Sequence, residues 1–349
     1  MATVATASRH APPSASLAFM LVAALCLLAF AGAKVSGLGF VFTVALPYAA
    51  VAVFLIGIIA RVLRWGSAPV PFRITTTCGQ QRSLPWIQAQ PLDNPSSTLA
   101  VLGRMALEVL TFRSLFRNTQ SRMGPNRRIL HFEELGLWMG ALVFHGSLLA
   151  VVTRHLRLFL DPVPAFVQTF QNVDGFFELG LPVVFLSTAG LCAGLLYLTY
   201  RRFANAQVRA LSLAADYFPL FLLLGIAMSG VLLRHFLKTD VVAIKAFVMG
   251  LVTFQPQPLD APSPLFLIHL TLVSTLLIYL PESKLSHMVG VFLSPTRNLA
   301  NNSRMRRHVN PWNRKVKTHT YAEWEEEFRE KLVDAEIPLD EEAAGKAEE

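Results

Sequence analysis

The sequence predicts an all-α integral membrane protein, a bundle of about six transmembrane helices, and three observations predict it. The 349 residues are 53% hydrophobic with a mean hydropathy of +0.45. Only 15% are charged, against roughly 25% in an ordinary soluble domain, so much of the surface must face lipid rather than water. Finally, the apolar residues gather into runs near the length of about 20 that a spanning helix requires, and the basic residues gather between them on alternate sides.

The predicted spans are Ser16–Ala33, Gly39–Leu63, Leu130–Val152, Phe176–Tyr200, Leu211–Leu233 and Pro264–Leu280. The first reads as a retained helix rather than a signal peptide cleaved near Ala33, because Arg9 is the single basic residue before it and the run is long for a signal core. The last is short and stops before Pro281, since proline ends or kinks a helix. Thr98–Arg117 sets Leu99, Leu102, Ala106, Val109 and Leu110 against Arg104, Glu108 and Arg113, a pattern suited to an interfacial helix. Val241–Phe254 is too short to span and reads as re-entrant or surface-lying.

Lysine and arginine assign the sides. Nine arginines lie between Arg64 and Ile129, three between Arg201 and Ala210, and a further cluster follows Lys284, whereas the other connections carry few. The positive-inside rule places both termini in the cytoplasm. The chain divides into two N-terminal helices (1–63), a basic cytoplasmic loop with an interfacial helix (64–129), a four-helix core (130–293) and a cytoplasmic C-terminal tail (294–349). The tail is basic over Asn298–Lys317 and acidic over Tyr321–Glu349, with Trp324, Phe328 and Leu332 at helical spacing. It reads either as a solvated tail or as a docking arm. The net charge of +8 follows this topology and argues for membrane lipid, not nucleic acid, as a partner.

Cys26, Cys78 and Cys192 form no CxxC pair, which excludes a zinc ribbon, a cysteine-ligated cluster and a covalently attached c-type haem within the chain. The nine histidines are more informative. His145 stands in the middle of the third span and His155 at its outer end; His269 lies near the outer end of the sixth, and His287 follows Pro281. An ionisable side chain inside a span is costly and by default functional, and neutral imidazole is a common metal ligand. On antiparallel helices the natural pairs are His155 with His269 outside and His145 with His287 inside. The 10-residue spacing rises about 15 Å and the 18-residue spacing about 27 Å in straight helices, so tilt or a kink at Pro281 must absorb roughly 12 Å.

These spacings on two antiparallel spans resemble the di-haem cytochrome b subunits of respiratory nitrate reductase, the gamma subunit family. Two further stretches, Arg73–Trp86 and Arg297–Trp312, with the following His319–Trp324, resemble the M subunits of the membrane redox complexes linked to dissimilatory sulfite reductase, the DsrM family. That resemblance covers nearly the whole chain. It implies two haem b groups held by His145, His155, His269 and His287, with menaquinone or menaquinol as substrate, in the inner membrane of a prokaryote. It also implies a cytoplasmic iron–sulfur K subunit like heterodisulfide reductase, acting on a small sulfur-carrier protein, together with a periplasmic multihaem cytochrome c and other membrane subunits. The nitrate reductase family has a lysine at its quinol site, whereas Asn172–Gly180 here offers Asp174 and Glu178 instead. Quinol oxidation needs a proton acceptor beside an electron acceptor, and Asp174, Glu178 and His235 are the outer-face candidates. Two rival readings are a cytochrome b serving another respiratory oxidoreductase, and a haem-free transporter or scaffold. The transporter reading calls for internal repeats and broken helices that the sequence lacks.

Overall fold

The computed structural model describes residues 12–35, 38–68, 82, 84–124, 128–176, 183–256, 262–302 and 318–340. Helix α1 (Pro13–Lys34) begins with proline in its first turn, where the missing N–H costs nothing, and carries Lys34 in its last. A π-helical stretch, Val41–Ala45, runs directly into α2 (Leu46–Gly66). Then come α3 (Thr98–Thr111), capped by the Ser97 hydroxyl, and the single turn α4 (Arg113–Phe116). Strands β1 (Thr119–Met123) and β2 (Ile129–Glu133) form an antiparallel ribbon. Beyond it lie α5 (Leu135–His155), α6 (Ala165–Phe176), α7 (Leu186–Ala204), α8 (Ala206–Leu211) and α9 (Ala214–Val231), the last prolonged by a π turn, Leu232–Phe236. The chain continues through α10 (Val241–Val252), α11 (Pro264–Tyr279), α12 (His287–Leu293), α13 (Pro295–Asn298) and α14 (Tyr321–Asp334).

Among the described residues four helices are long and apolar enough to cross a membrane: Pro13–Lys34, Val41–Gly66, Leu135–Leu158 and Ala214–Phe236. The pair Pro264–Tyr279 and Lys284–Asn298, bent by 71°, makes a fifth if the two count as one broken span rather than a re-entrant loop. The expected span Phe176–Tyr200 differs most. Phe176 closes α6, and the following helix starts only at Leu186, so Arg201 and Arg202 fall in its last turn and dilute its apolar length. The third span also starts later than expected, because Ile129–Glu133 pairs with β1 instead of extending α5.

The bundle is held where helices cross. Phe144, Leu191, Leu195, Leu223 and Ala227 pack α5, α7 and α9 together, and Val22, Leu222 and Leu272 join α1, α9 and α11. Without water between the helices, association depends on close packing through small residues. At Gly194 a β-carbon would sit 2.9 Å from the Phe144 Cα, so α5 and α7 touch backbone to backbone one residue from His145. The outward faces carry large exposed apolar side chains such as Ile56, Leu63 and Leu149, as lipid contact requires. Helix α3 follows the same logic: Leu99 and Leu110 are 80% and 72% exposed, while Arg104 and Glu108 are buried at 8% and 9%. Its polar face meets the protein and its apolar face is left outward, as for a helix lying in an interface.

Candidate functional site

Histidines 145 and 287 come together. Their ring centroids are 6.0 Å apart and their planes are 87° to each other. A metal ion bonded to both Nε2 atoms needs two bonds of about 2.0 Å and two ring radii of about 1.1 Å, a separation of roughly 6.2 Å. The centroid separation is close to that length. The bend explains how His287 reaches this place: α11 stops at Tyr279, and the chain turns before the helix that starts at His287. The roughly 12 Å mismatch expected for straight helices is absorbed there. Arg61 of α2 donates to the Pro281 carbonyl and lies 3.5 Å from Glu282, which buttresses the turn.

The other two histidines share a cavity of about 440 Å³ near the C-terminal end of α5. His155 and His269 both line it, among aliphatic walls that include Leu148, Leu191, Leu223 and Leu276. Its size lies in the range of small-molecule sites, roughly 300–1,000 Å³. Gly230 flanks His269, where a β-carbon would come 3.3 Å from the ring Cε1. Arg154, Arg157, Arg234 and His235 line the same cavity.

One feature unites all four histidines. The Nδ1 of His145 lies 2.8 Å from the Ala141 carbonyl, that of His155 2.7 Å from the Val151 carbonyl, and that of His287 2.9 Å from the Lys284 carbonyl. A carbonyl can only accept, so each Nδ1 donates. At His269 Nδ1 meets the Ser229 hydroxyl instead, 2.9 Å away, and that hydroxyl also lies 2.7 Å from the Gly225 carbonyl and 3.0 Å from the Ile226 carbonyl. Nδ1 is thereby engaged in all four rings and Nε2 is turned away from these partners, the arrangement that metal-bound histidines obtain from their outer partners. Among the described residues no group of three or more His, Cys, Asp or Glu gathers to hold a metal ion.

The three proton-acceptor candidates part company. Asp174 is buried and already engaged: its carboxylate accepts from the Ser187 backbone N–H at 2.9 Å and the Ser187 hydroxyl at 2.7 Å, and Arg154 Nε lies 3.0 Å away. It stabilises the corner between α5, α6 and α7 and does not line the cavity. His235 does line it, with Nδ1 donating to the Val183 carbonyl at 2.8 Å and its ring 5.6 Å from Phe185. Glu178 lies outside the described residues, as do His10, His308 and most of the Arg73–Trp86 and Arg297–Trp312 stretches. Sequence reasoning missed Arg154 as the partner of Asp174. An arginine and an aspartate on two apolar helices are a searchable signal, because neither is stable there alone.

The family model described as nitrate reductase gamma subunit matches residues 100–312, a stretch that contains all four histidines. The chain is 43% identical to a protein of Archaeoglobus fulgidus named Hdr-like menaquinol oxidoreductase cytochrome b-like subunit, over 79% of this chain and 84% of that one. The protein of the same name from Archaeoglobus profundus is 40% identical over 77% of this chain and 81% of that one. The nitrate reductase gamma chain of Bacillus subtilis is 28% identical over 46% of this chain and 74% of its own length.

Proposed function

This chain belongs to the nitrate reductase gamma subunit family, and from that premise we propose that it is a di-haem membrane cytochrome b carrying electrons between menaquinol and a cytoplasmic iron–sulfur subunit. The observation that carries the reading is the common anchoring of His145, His155, His269 and His287 through Nδ1. His145 and His287 hold one haem b, and His155 and His269 hold the other. When bound, each haem supplies a one-electron relay in the low-dielectric interior of the bundle.

The remaining work falls to the chain's own groups. The Nδ1 anchors stop the imidazoles from turning and hold Nε2 toward the group between them. The aliphatic walls around His155 and His269 exclude water, and Arg154 is held in place by Asp174. At the rim of that cavity His235 is the candidate to take a proton released by quinol. Counting α7 as a sixth crossing, as the arginine pattern of the sequence implies, puts both termini in the cytoplasm and His145 and His287 on the side where the basic 64–129 loop and the tail would meet the partner. The names of the Archaeoglobus relatives support menaquinol as substrate and a heterodisulfide reductase-like assembly. The Arg73–Trp86 and Arg297–Trp312 stretches favour a sulfite-linked complex of the DsrM type, with its K subunit and multihaem cytochrome c, over a hydrogenase or formate dehydrogenase.

The test is a haem count by pyridine haemochrome on purified protein, for the wild type and four single His→Ala variants. Two b haems per chain are expected, with His145→Ala and His287→Ala losing one and His155→Ala and His269→Ala losing the other. A wild-type protein without haem, or variants that all retain two, overturns the proposal.

A further inference from the structure

Between α3 and α4 the chain turns a corner on Phe112, which has φ 50° and ψ 48°. That left-handed conformation suits glycine or asparagine, and for a bulky residue it is an outlier. The corner is nonetheless fixed from several directions. Both the backbone N–H and the hydroxyl of Ser114 donate to Glu108. Arg113 and Arg117 pair with Asp93 at 2.6 and 2.7 Å. Trp138 of α5 donates its indole N–H to the Thr111 carbonyl at 2.7 Å, with the Phe116 ring against it at 5.0 Å. What this arrangement places is the Phe112 side chain, edge-on to His145 with ring centroids 5.0 Å apart. A strained residue persists where its surroundings over-determine it, and such residues gather at functional sites.

We propose that Phe112 is a positioning residue for the group held between His145 and His287: its ring closes the loop side of that site and sets the reduction potential of the haem there. This inference rests on the di-haem reading above. Oxidised haem iron carries one more positive charge than reduced iron. An apolar ring that keeps water from the site disfavours the oxidised form and raises the potential, by the same desolvation that disfavours any buried charge. The loop that faces the cytoplasmic partner thus touches the relay through the Phe112 ring, so movement of the corner on docking would alter the driving force for electron exit.

The experiment compares Phe112→Gly and Phe112→Leu with wild type in the purified full chain, by redox titration of the b-haem bands and by thermal unfolding. Glycine relieves the backbone and deletes the ring; leucine keeps apolar cover in the same strained backbone. The expected result for Phe112→Gly is two haems, a thermal midpoint no lower than wild type, and one potential shifted negative, the one missing from His287→Ala. Phe112→Leu should recover most of that shift. Two unmoved potentials in Phe112→Gly overturn the proposal while leaving the di-haem reading intact. So does a glycine variant that loses stability and both potentials together, or that cannot be purified folded, since the ring would then be ordinary packing. A wild type without haem removes the di-haem reading itself, and this inference with it.

Discussion

Replacing Gly194 by alanine adds a single carbon, yet the structure leaves no place for it. The new Cβ would stand 2.9 Å from both Cα and Cβ of Phe144 and 3.0 Å from its backbone nitrogen. Carbon atoms rest at about 3.5–4.0 Å, so α5 and α7 must part by roughly 0.6–1.1 Å. Two of the three atoms met belong to the backbone, and no rotamer change can yield the space. Overpacking of this kind costs about 1–3 kcal/mol. The displaced segment carries His145, whose ring sits 6.0 Å from that of His287, so separation of the helices stretches the pair as well. At about 1.4 kcal/mol per tenfold change, a loss of 2 kcal/mol lowers retention of a group held there by roughly 30-fold. The assay is thermal unfolding of the detergent-solubilised protein together with haem content after dilution. Gly146→Ala is the control, since a Cβ there meets nothing within 4 Å. A Gly194→Ala protein with the wild-type thermal midpoint and undiminished haem would refute the claim that these helices are in backbone contact.

Two further expectations concern charge. The Arg154 and Asp174 side chains are 11% and 7% exposed, and removing one partner of a buried pair costs about 3–5 kcal/mol. Arg154→Gln should therefore unfold at markedly lower temperature, with Asp174→Asn in the same chain restoring most of the loss; a single variant as stable as wild type would count against the pair. At the α3–α4 corner, burial pushes the Asp93 carboxyl up but the neighbouring Arg117 and Arg113 outweigh it and hold it below its ordinary value. A depressed carboxylate contributes stability above its unfolded value and loses it as pH falls through the folded one. The 93–117 corner should thus loosen only below about pH 4, measured as proteolytic or hydrogen-exchange sensitivity. Asp93→Asn should be loose at neutral pH already, and a protected Asp93→Asn corner would argue that other contacts hold it.

The apolar runs were legible because lipid selects on composition over twenty residues at a time: α1, α2 taken with the π-helical stretch that leads into it, α9 and α11 lie within a few residues of expectation. The ends were not. Leu130, Phe132 and Leu135 read as one apolar approach to α5, but the Gly124-Pro125-Asn126 triplet behind them is a turn signal, and Ile129–Glu133 pairs across it with Thr119–Met123. At α7, Arg201 and Arg202 lie within the helix rather than beyond it, so counting apolar residues misplaced its start. The nearness of His145 to His287 and the shared surroundings of His155 and His269 were legible from spacing. Their anchoring was not: Nδ1 donation to a carbonyl four residues back at His145 and His155 is a rotamer choice, and the partner of His269 lies 40 residues away at Ser229. Phe112 carried no signal, since left-handed backbone at an aromatic residue is set by tertiary contacts and not by local preference.

The bend after Tyr279 has a consequence for the membrane itself. Helix α11 has 16 residues, about 24 Å of rise, against a hydrocarbon core of roughly 30 Å. A crossing that short draws the two lipid surfaces together around it, at a cost of fractions of a kcal/mol per ångström of mismatch. On the di-haem reading proposed above, thinner lipid on the side where the chain turns toward His287 would bring that histidine pair closer to whatever docks from the water.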